Sequence, residues 1–199
     1  MTAPSPSGAP ALILASASPR RRDLLAQIGV TPAGVAPADL DETARRGELP
    51  RPHAERLARD KARAVAACHP GAVVLAADTV VACGRRILPK ADDAATARRC
   101  LDLLSGRRHR VITAVAVIDA QGRERTRTVE TVVTVKRLEP AEIDAYLASG
   151  EWQGKAGGYA IQGRFAGLVR HLNGSYTGVV GLPLHETRAL LLAAGLTLP

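Results

Sequence analysis

Apolar residues along this chain recur in two rhythms, and the changes of rhythm mark out alternating strands and helices. Residues 11–15 form a short apolar run that reads as a buried strand. A helix follows, with Ser18 placed to cap it, Pro19 at its first position, and Leu24, Leu25 and Ile28 on one face until Gly29 ends it. Residues 30–37 are strand-like. Residues 52–68 carry the helical stripe Ala54, Leu57, Ala58, Val65 and Ala66, stopped by Pro70-Gly71. Residues 72–83 are apolar almost throughout and rich in Val, the pattern of a central strand buried on both faces.

Asp92 or Asp93 can cap the next helix, which runs to Leu104 and closes at Ser105-Gly106. Residues 111–118 and 126–136 read as an antiparallel hairpin about Gly122, with Val129, Val133 and Val135 on one face of the second strand. A short helix opens at Pro140 and stops at Gly150. Residues 165–172 and 175–180, joined by Asn173-Gly174, predict a second hairpin. Pro183 starts a last helix that runs through Leu191. No repeat or linker divides the chain. The expectation is one α/β domain with a mixed sheet over residues 10–199, preceded by a Pro-, Ser-, Ala- and Gly-rich disordered tail at 1–9.

Composition narrows the partners. The 199 residues suffice for one sizeable core, and 46% hydrophobic with 23% charged residues is the balance of a soluble globular protein. A net charge of +8 favours polyanions: nucleotides, nucleic acid or an anionic membrane. With aromatics at 3%, and no RNP, KH or helix-turn-helix signature, specific nucleic-acid binding is not expected. No apolar run reaches the length of a membrane span. Residues 10–17 faintly imitate a signal peptide, but they lack a basic start and three arginines follow. Cys68, Cys83 and Cys100 are widely spaced, which suggests reduced thiols and a cytoplasmic home.

The candidate chemistry lies where residues break the local pattern. Arg20, Arg21 and Arg22 stand in a helix's first turn, where the macrodipole favours acids. With the Ser16–Ser18 turn and free backbone N–H groups they make a phosphate site; the bland alternative is a solvated basic turn. Lys61 falls in the middle of an apolar helical stripe, where it either snorkels outward or points into a cleft with an anion. Because neither Arg21 nor Lys61 is placed as stability would have it, Ala at either position is expected to weaken turnover with little loss of melting temperature. Asp78 interrupts the central strand and must be paired, metal-bound or protonated. The acidic run Asp39-Leu40-Asp41-Glu42 is either a solvated loop or a place that handles metal or water. Lys90 reads as a turn residue. Residues 154–163 form a glycine-rich loop that is neither a P-loop nor a dinucleotide fingerprint, though its glycines permit close approach to a ligand.

These pieces, taken in order, resemble the Maf family of nucleoside triphosphate pyrophosphatases over nearly the whole chain. They are Ser16-Ala17-Ser18-Pro19-Arg20-Arg21, Asp41-Glu42-Thr43, Lys61-Ala62, Ala77-Asp78-Thr79, Pro89-Lys90, Ser105-Gly106, Lys155-Ala156-Gly157-Gly158-Tyr159-Ala160-Ile161-Gln162-Gly163 and Gly181-Leu182-Pro183-Leu184. The resemblance implies an elongated, twisted mixed sheet in two lobes with a central cleft, like the inosine triphosphate pyrophosphatases. It implies cleavage of a nucleotide's α–β anhydride to monophosphate and pyrophosphate with a divalent metal, Mg²⁺ or in its place Mn²⁺. Arg20, Thr79 and Gln162 match the branch of the family that acts on dTTP and UTP.

By the same resemblance Asp78 accepts the proton of the attacking water and, with Glu42, holds the metal. Lys61 and Lys90 supply catalytic positive charge. Ser16, Ser18, Arg20, Arg21, Thr79 and Gln162 bind the substrate. A homodimer is a family expectation. The competing reading is a nucleotide-binding regulator of cell division that acts through a protein partner.

Overall fold

The computed structural model describes residues 10–199, so the expectation for the tail at 1–9 lies outside the described residues. The elements are β1 (Leu12–Leu14), α1 (Pro19–Gln27), β2 (Gly34–Val35), α2 (Pro50–Cys68), β3 (Val73–Cys83), β4 (Arg86–Leu88), β5 (Lys90–Ala91), α3 (Ala94–Leu104), β6 (Arg108–Ile118), β7 (Glu124–Val135), α4 (Pro140–Ala148), β8 (Lys155–Ala156), β9 (Val169–Asn173), α5 (Tyr176–Val180) and α6 (Leu184–Ala193). The main sheet runs β2-β1-β3-β6-β7-β9, with β4 also on β3, and β5 and β8 form a small second sheet. β1 pairs parallel with β2 and β3, while the remaining pairings are antiparallel, so the sheet is mixed as expected.

Strand periodicity sorts the core. Val74, Ala76 and Val80 of β3 join Ile112, Ala114 and Ala116 of β6 under α2. That helix meets them with Ala54, Ala58 and Ala62, whose small side chains let it lie close to the sheet. The opposite face carries two separate clusters. One packs Leu75 and Ala77 with Leu24 and Leu25 of α1 and Leu190 and Leu191 of α6. The other packs Val81, Val111, Val133 and Val135 with Leu101 and Leu104 of α3, Ile143 and Tyr146 of α4, and Phe165. These clusters are the cores of the two lobes, and the cleft opens between them.

Sheet pairing explains why the cleft is there. β3 is paired with β6 along its length, but its other edge is covered only at the ends. β1 covers Val73–Leu75 and β4 covers Val81–Cys83. Between them, residues 76–80 form an open edge just beyond the carboxyl end of β1, the usual place for a ligand crevice in an α/β sheet. Asp78 and Thr79 point to opposite faces of β3, yet both reach the cleft around this open edge.

Several elements depart from expectation. The hairpin predicted over 165–180 does not form. Its first part is a 3₁₀ turn at Arg164–Leu168, and its last part is the helix α5. Ser175 caps that helix, its Oγ accepting from the Gly178 N–H at 2.9 Å. Gly174, at φ +130°, packs where a Cβ would lie 2.7 Å from Thr131 Oγ1. Thr131 Oγ1 in turn accepts from the Ser175 N–H. Contacts with β7 therefore override the β-branched character of Thr177, Val179 and Val180. The strand-like stretch 30–37 reduces to the two residues of β2. β6 starts at Arg108, because Arg108 and Arg110 point outward while His109 is buried between them. Lys90 lies in β5, not in a turn, paired across to Ala156.

Candidate active site

The ten residues singled out in the sequence all line one cleft of about 470 Å³. Ser16, Ser18, Arg20 and Arg21 come from the turn after β1 and the start of α1. Glu42 comes from the irregular loop before α2, Lys61 from α2, Asp78 and Thr79 from β3, Lys90 from β5, and Gln162 from the glycine-rich loop.

Lys61 is the centre of the charge arrangement. It is 7% exposed, and its Nζ lies 2.6 Å from Asp78 Oδ1 and 2.5 Å from Glu42 Oε1. Glu42 also pairs with Lys90, which is largely exposed. Asp78 is 5% exposed. Its second oxygen, Oδ2, has no hydrogen-bond partner among the described residues. Sequence reading left open whether Asp78 is paired, metal-bound or protonated, and the structure pairs it. Alanine at 61 would strand a buried carboxylate, so the expectation that such a change spares the melting temperature does not hold.

Arg21 is committed to the fold as well. It donates from Nε to the Gly181 carbonyl (2.9 Å), from Nη1 to Ser16 Oγ (2.9 Å) and from Nη2 to Thr79 Oγ1 (3.5 Å). It thus ties α1 to β3 and to the segment between α5 and α6, and its removal is expected to cost stability too. Thr79 is held further by Thr113 Oγ1 at 3.1 Å. Arg20, by contrast, has no hydrogen-bond or ion-pair partner among the described residues. Ser18 sits at the helix cap position, but its side chain makes no capping bond. Instead Ser16 Oγ accepts from the Ser18 N–H at 3.2 Å. The first turn of α1 therefore keeps backbone donors without a side-chain cap at the cleft wall, the ordinary anion-binding device of a helix start.

Five cations (Arg20, Arg21, Lys61, Lys90 and Lys155) and two carboxylates (Glu42 and Asp78) line the cleft. The titration behaviour registers the excess. Burial lowers the pKa of Arg20, of Arg21 and of Lys155, and Arg20 adds to the lowering in the latter two. Burial pushes the Glu42 carboxyl up, but the hydrogen bonds and charges of Lys61 and Lys90 outweigh it and bring it down to about 2. A cleft in which cations are destabilised and a carboxylate is held ionised is built for an anion.

The glycine-rich loop is not loose. Gly157 and Gly158 have φ near +70°, and a Cβ would lie 2.7 Å from Val81 Cγ1 at Gly157 and 3.1 Å from Ala97 Cα at Gly158. At Gly163 it would lie 2.0 Å from Glu151 Oε2, the oxygen that accepts from the Arg164 N–H. These glycines buy close packing. Gln162 is exposed at the cleft wall, and its amide has no partner among the described residues.

Sequence reading passed over several lining residues. Lys155 sits in β8 beside the glycine turn, its Nζ donating to the Gln153 carbonyl at 2.8 Å. Its signal, a lysine within the glycine-rich stretch, was available. The Gly181 carbonyl was not, because only folding brings it to Arg21. As for a metal, Glu42 and Asp78 are hard oxygen donors facing one cleft, the kind Mg²⁺ takes together with substrate phosphates and water. Among the described residues no group of three His, Cys, Asp or Glu side chains is set to hold a cation. The two carboxylates alone thus offer donors of the kind a hard divalent cation takes.

A family model described as Maf-like protein matches residues 11–194. A dTTP/UTP pyrophosphatase of Rhodospirillum rubrum is 65% identical over 184 residues, which is 92% of this chain and 88% of the relative. A dTTP/UTP pyrophosphatase of Paramagnetospirillum magneticum is 66% identical over 180 residues, 90% of this chain and 95% of the relative. Among solved structures, a nucleoside-triphosphatase / dITP/XTP pyrophosphatase of Mycobacterium abscessus aligns with a TM-score of 0.44 and 22% identity, over 93% of this chain and 97% of its own.

Proposed function

The chain belongs to the Maf family, and on that premise we propose that it is a nucleoside triphosphate pyrophosphatase that hydrolyses dTTP and UTP to the monophosphate and pyrophosphate, clearing these nucleotides from the pool. The observation that carries the reading is the cleft itself: five cations and two carboxylates, one of them the buried Asp78, with a free amide at the wall.

The residues divide the work as follows. Arg20, the Ser16–Ser18 turn and the start of α1 hold phosphate oxygens. Lys61 fixes Asp78 through Oδ1 and leaves Oδ2 to take a proton from water. That water attacks the α-phosphorus, the bond to the bridging oxygen breaks, and pyrophosphate leaves with the bond electrons. Lys61 and Lys90 lie where negative charge builds on the leaving group, and fixed cations stabilise such charge most in a water-poor site. A divalent metal, Mg²⁺ or Mn²⁺, held by Glu42 and Asp78, would neutralise phosphate charge and draw electron density from phosphorus.

Gln162 reads the base. An amide offers one donor and one acceptor face, and a uracil or thymine edge presents acceptor–donor–acceptor. A site built on such bonds rejects a wrong base by leaving its own polar groups unpaired. The expected result is a higher kcat/KM for UTP and dTTP than for CTP, GTP and 7-methyl-GTP, with the ranking altered by Gln162→Glu. A wild-type preference for 7-methyl-GTP, or an unchanged ranking in the Glu variant, would defeat this specificity.

The reading also takes the protein to act as a homodimer in the cytoplasm, without a nucleic-acid or membrane partner. Its three free cysteines suit a reducing compartment. Among the described residues no helix is long and apolar enough to cross a membrane.

A further inference from the structure

Aromatic residues are scarce in this chain, yet its single Phe and two of its three Tyr gather beneath the loop that carries Gln162. Phe165 lies 4.5 Å from Tyr159 and 5.1 Å from Tyr146, measured between ring centroids. Two polar contacts join this cluster to the loop. The buried Ala160 N–H donates to the Tyr146 hydroxyl at 3.0 Å, in place of a backbone acceptor. The Tyr159 hydroxyl lies 2.7 Å from His109 Nε2. The loop then closes on itself through the Gly163 N–H to the Ala160 carbonyl, at 3.1 Å. Ile161 and Gln162 stand between those two residues.

We propose that His109 and Tyr146 are positioning residues for base recognition: through the Tyr159 hydroxyl and the Ala160 N–H they set the backbone from which Gln162 meets the base. The proposal rests on the reading that the chain acts on nucleotides and that Gln162 faces the base.

His109 is hard to explain by stability alone. It is 2% exposed, and its Nδ1 is buried without a hydrogen-bond partner. Burial holds the imidazole neutral, with its pKa lowered to about 4. A neutral ring carries one N–H, so either tautomer that serves Tyr159 leaves Nδ1 unmatched. An apolar side chain would fill this space with no orphaned polar atom. What an apolar side chain cannot do is hold the Tyr159 hydroxyl, and with it the turn into Ala160. Tyr146 makes the parallel case: a Phe would pack equally well against Phe165 but would leave the Ala160 N–H unbonded.

The test compares Tyr146→Phe, Tyr159→Phe and the double variant His109→Leu/Tyr159→Phe with wild type. The measurements are kcat and KM for UTP and GTP, together with melting temperature. The loss of one hydrogen bond in a site is worth about 3- to 10-fold. KM for UTP is expected to rise by about that factor, with kcat changing far less. The UTP-over-GTP ratio should fall by the same factor, because GTP does not use the Gln162 contact. The double variant leaves no orphaned nitrogen, so it is expected to melt no lower than Tyr159→Phe while keeping the reduced ratio. A merely structural cluster would lower activity on both nucleotides equally, and that result in folded variants overturns the proposal. Recovery of the ratio in the double variant overturns it as well, since the orphaned group would then be the cause. A wild type that does not favour UTP removes the reading beneath the proposal; a wild type that favours UTP beside indifferent variants removes the proposal alone.

Discussion

Asp78→Asn is expected to slow UTP hydrolysis by about 10²- to 10⁴-fold, the usual cost of losing a general base, while the protein stays folded. The side chain is buried at the open edge of β3 and lines the cleft, with Oδ1 bound to Lys61 and no hydrogen bond to Oδ2 among the described residues. Asn keeps the shape and an oxygen for Lys61 to bond, so β3 and its core contacts survive. It cannot take a proton from water. Any share of Asp78 in holding a metal adds to the loss. Initial rates and thermal melts on the same preparation check this. Near-normal turnover by a folded Asp78→Asn protein would take Asp78 out of the mechanism.

Lys61→Ala is expected to damage both turnover and stability. Removing one preorganised charge from a transition-state site costs about 10²- to 10³-fold in kcat. For stability, breaking a buried ion pair by deleting one partner costs about 3–5 kcal/mol. Glu42 is about a third exposed and solvent can screen it, so the lower end applies here. For a chain of this size that is roughly 6–12 °C in melting temperature. The sign with pH follows from Glu42. Its folded pKa of about 2 lies below the unfolded value. The pairing therefore stabilises the protein above the ordinary carboxylate range and fades as pH falls through about 2. The gap between wild type and Lys61→Ala should accordingly narrow at acid pH. A Lys61→Ala/Asp78→Asn double variant should regain part of the lost stability. An unchanged melting temperature in Lys61→Ala would show that Lys61 is not the counter-ion its geometry makes it.

Much of the site was legible because its residues violate the periodicity around them. Asp78 breaks an apolar strand and Lys61 breaks an apolar helical stripe, and each violation is visible within a dozen residues. The structure then joins the two at 2.6 Å. Legibility fails where a residue's task depends on a distant partner. Arg21 looked like a phosphate fork, but its guanidinium is shared among Ser16, Thr79 and Gly181, the last 160 positions along the chain. The glycines at 157, 158 and 163 read as room for a ligand to approach; they are needed because Val81, Ala97 and Glu151 pack against them. The segment at 175–180 has strand-forming residues and becomes a helix, because Ser175 caps it and Gly174 lies against Thr131. Lys90 looked like a surface turn residue until β8 paired with it. The main sheet fared better, since β3 and β6 are long apolar runs and β7 ends in alternation, signals that are local, and only their ends moved.

The central claim is that water attacks the α-phosphorus of a pyrimidine nucleoside triphosphate in this cleft. It is tested most directly by hydrolysing UTP with Mg²⁺ in oxygen-18 water and locating the label in the products. The account predicts UMP and pyrophosphate, with the heavy oxygen in UMP. Label in the pyrophosphate, UDP with inorganic phosphate as products, or nucleotide binding without turnover would contradict it.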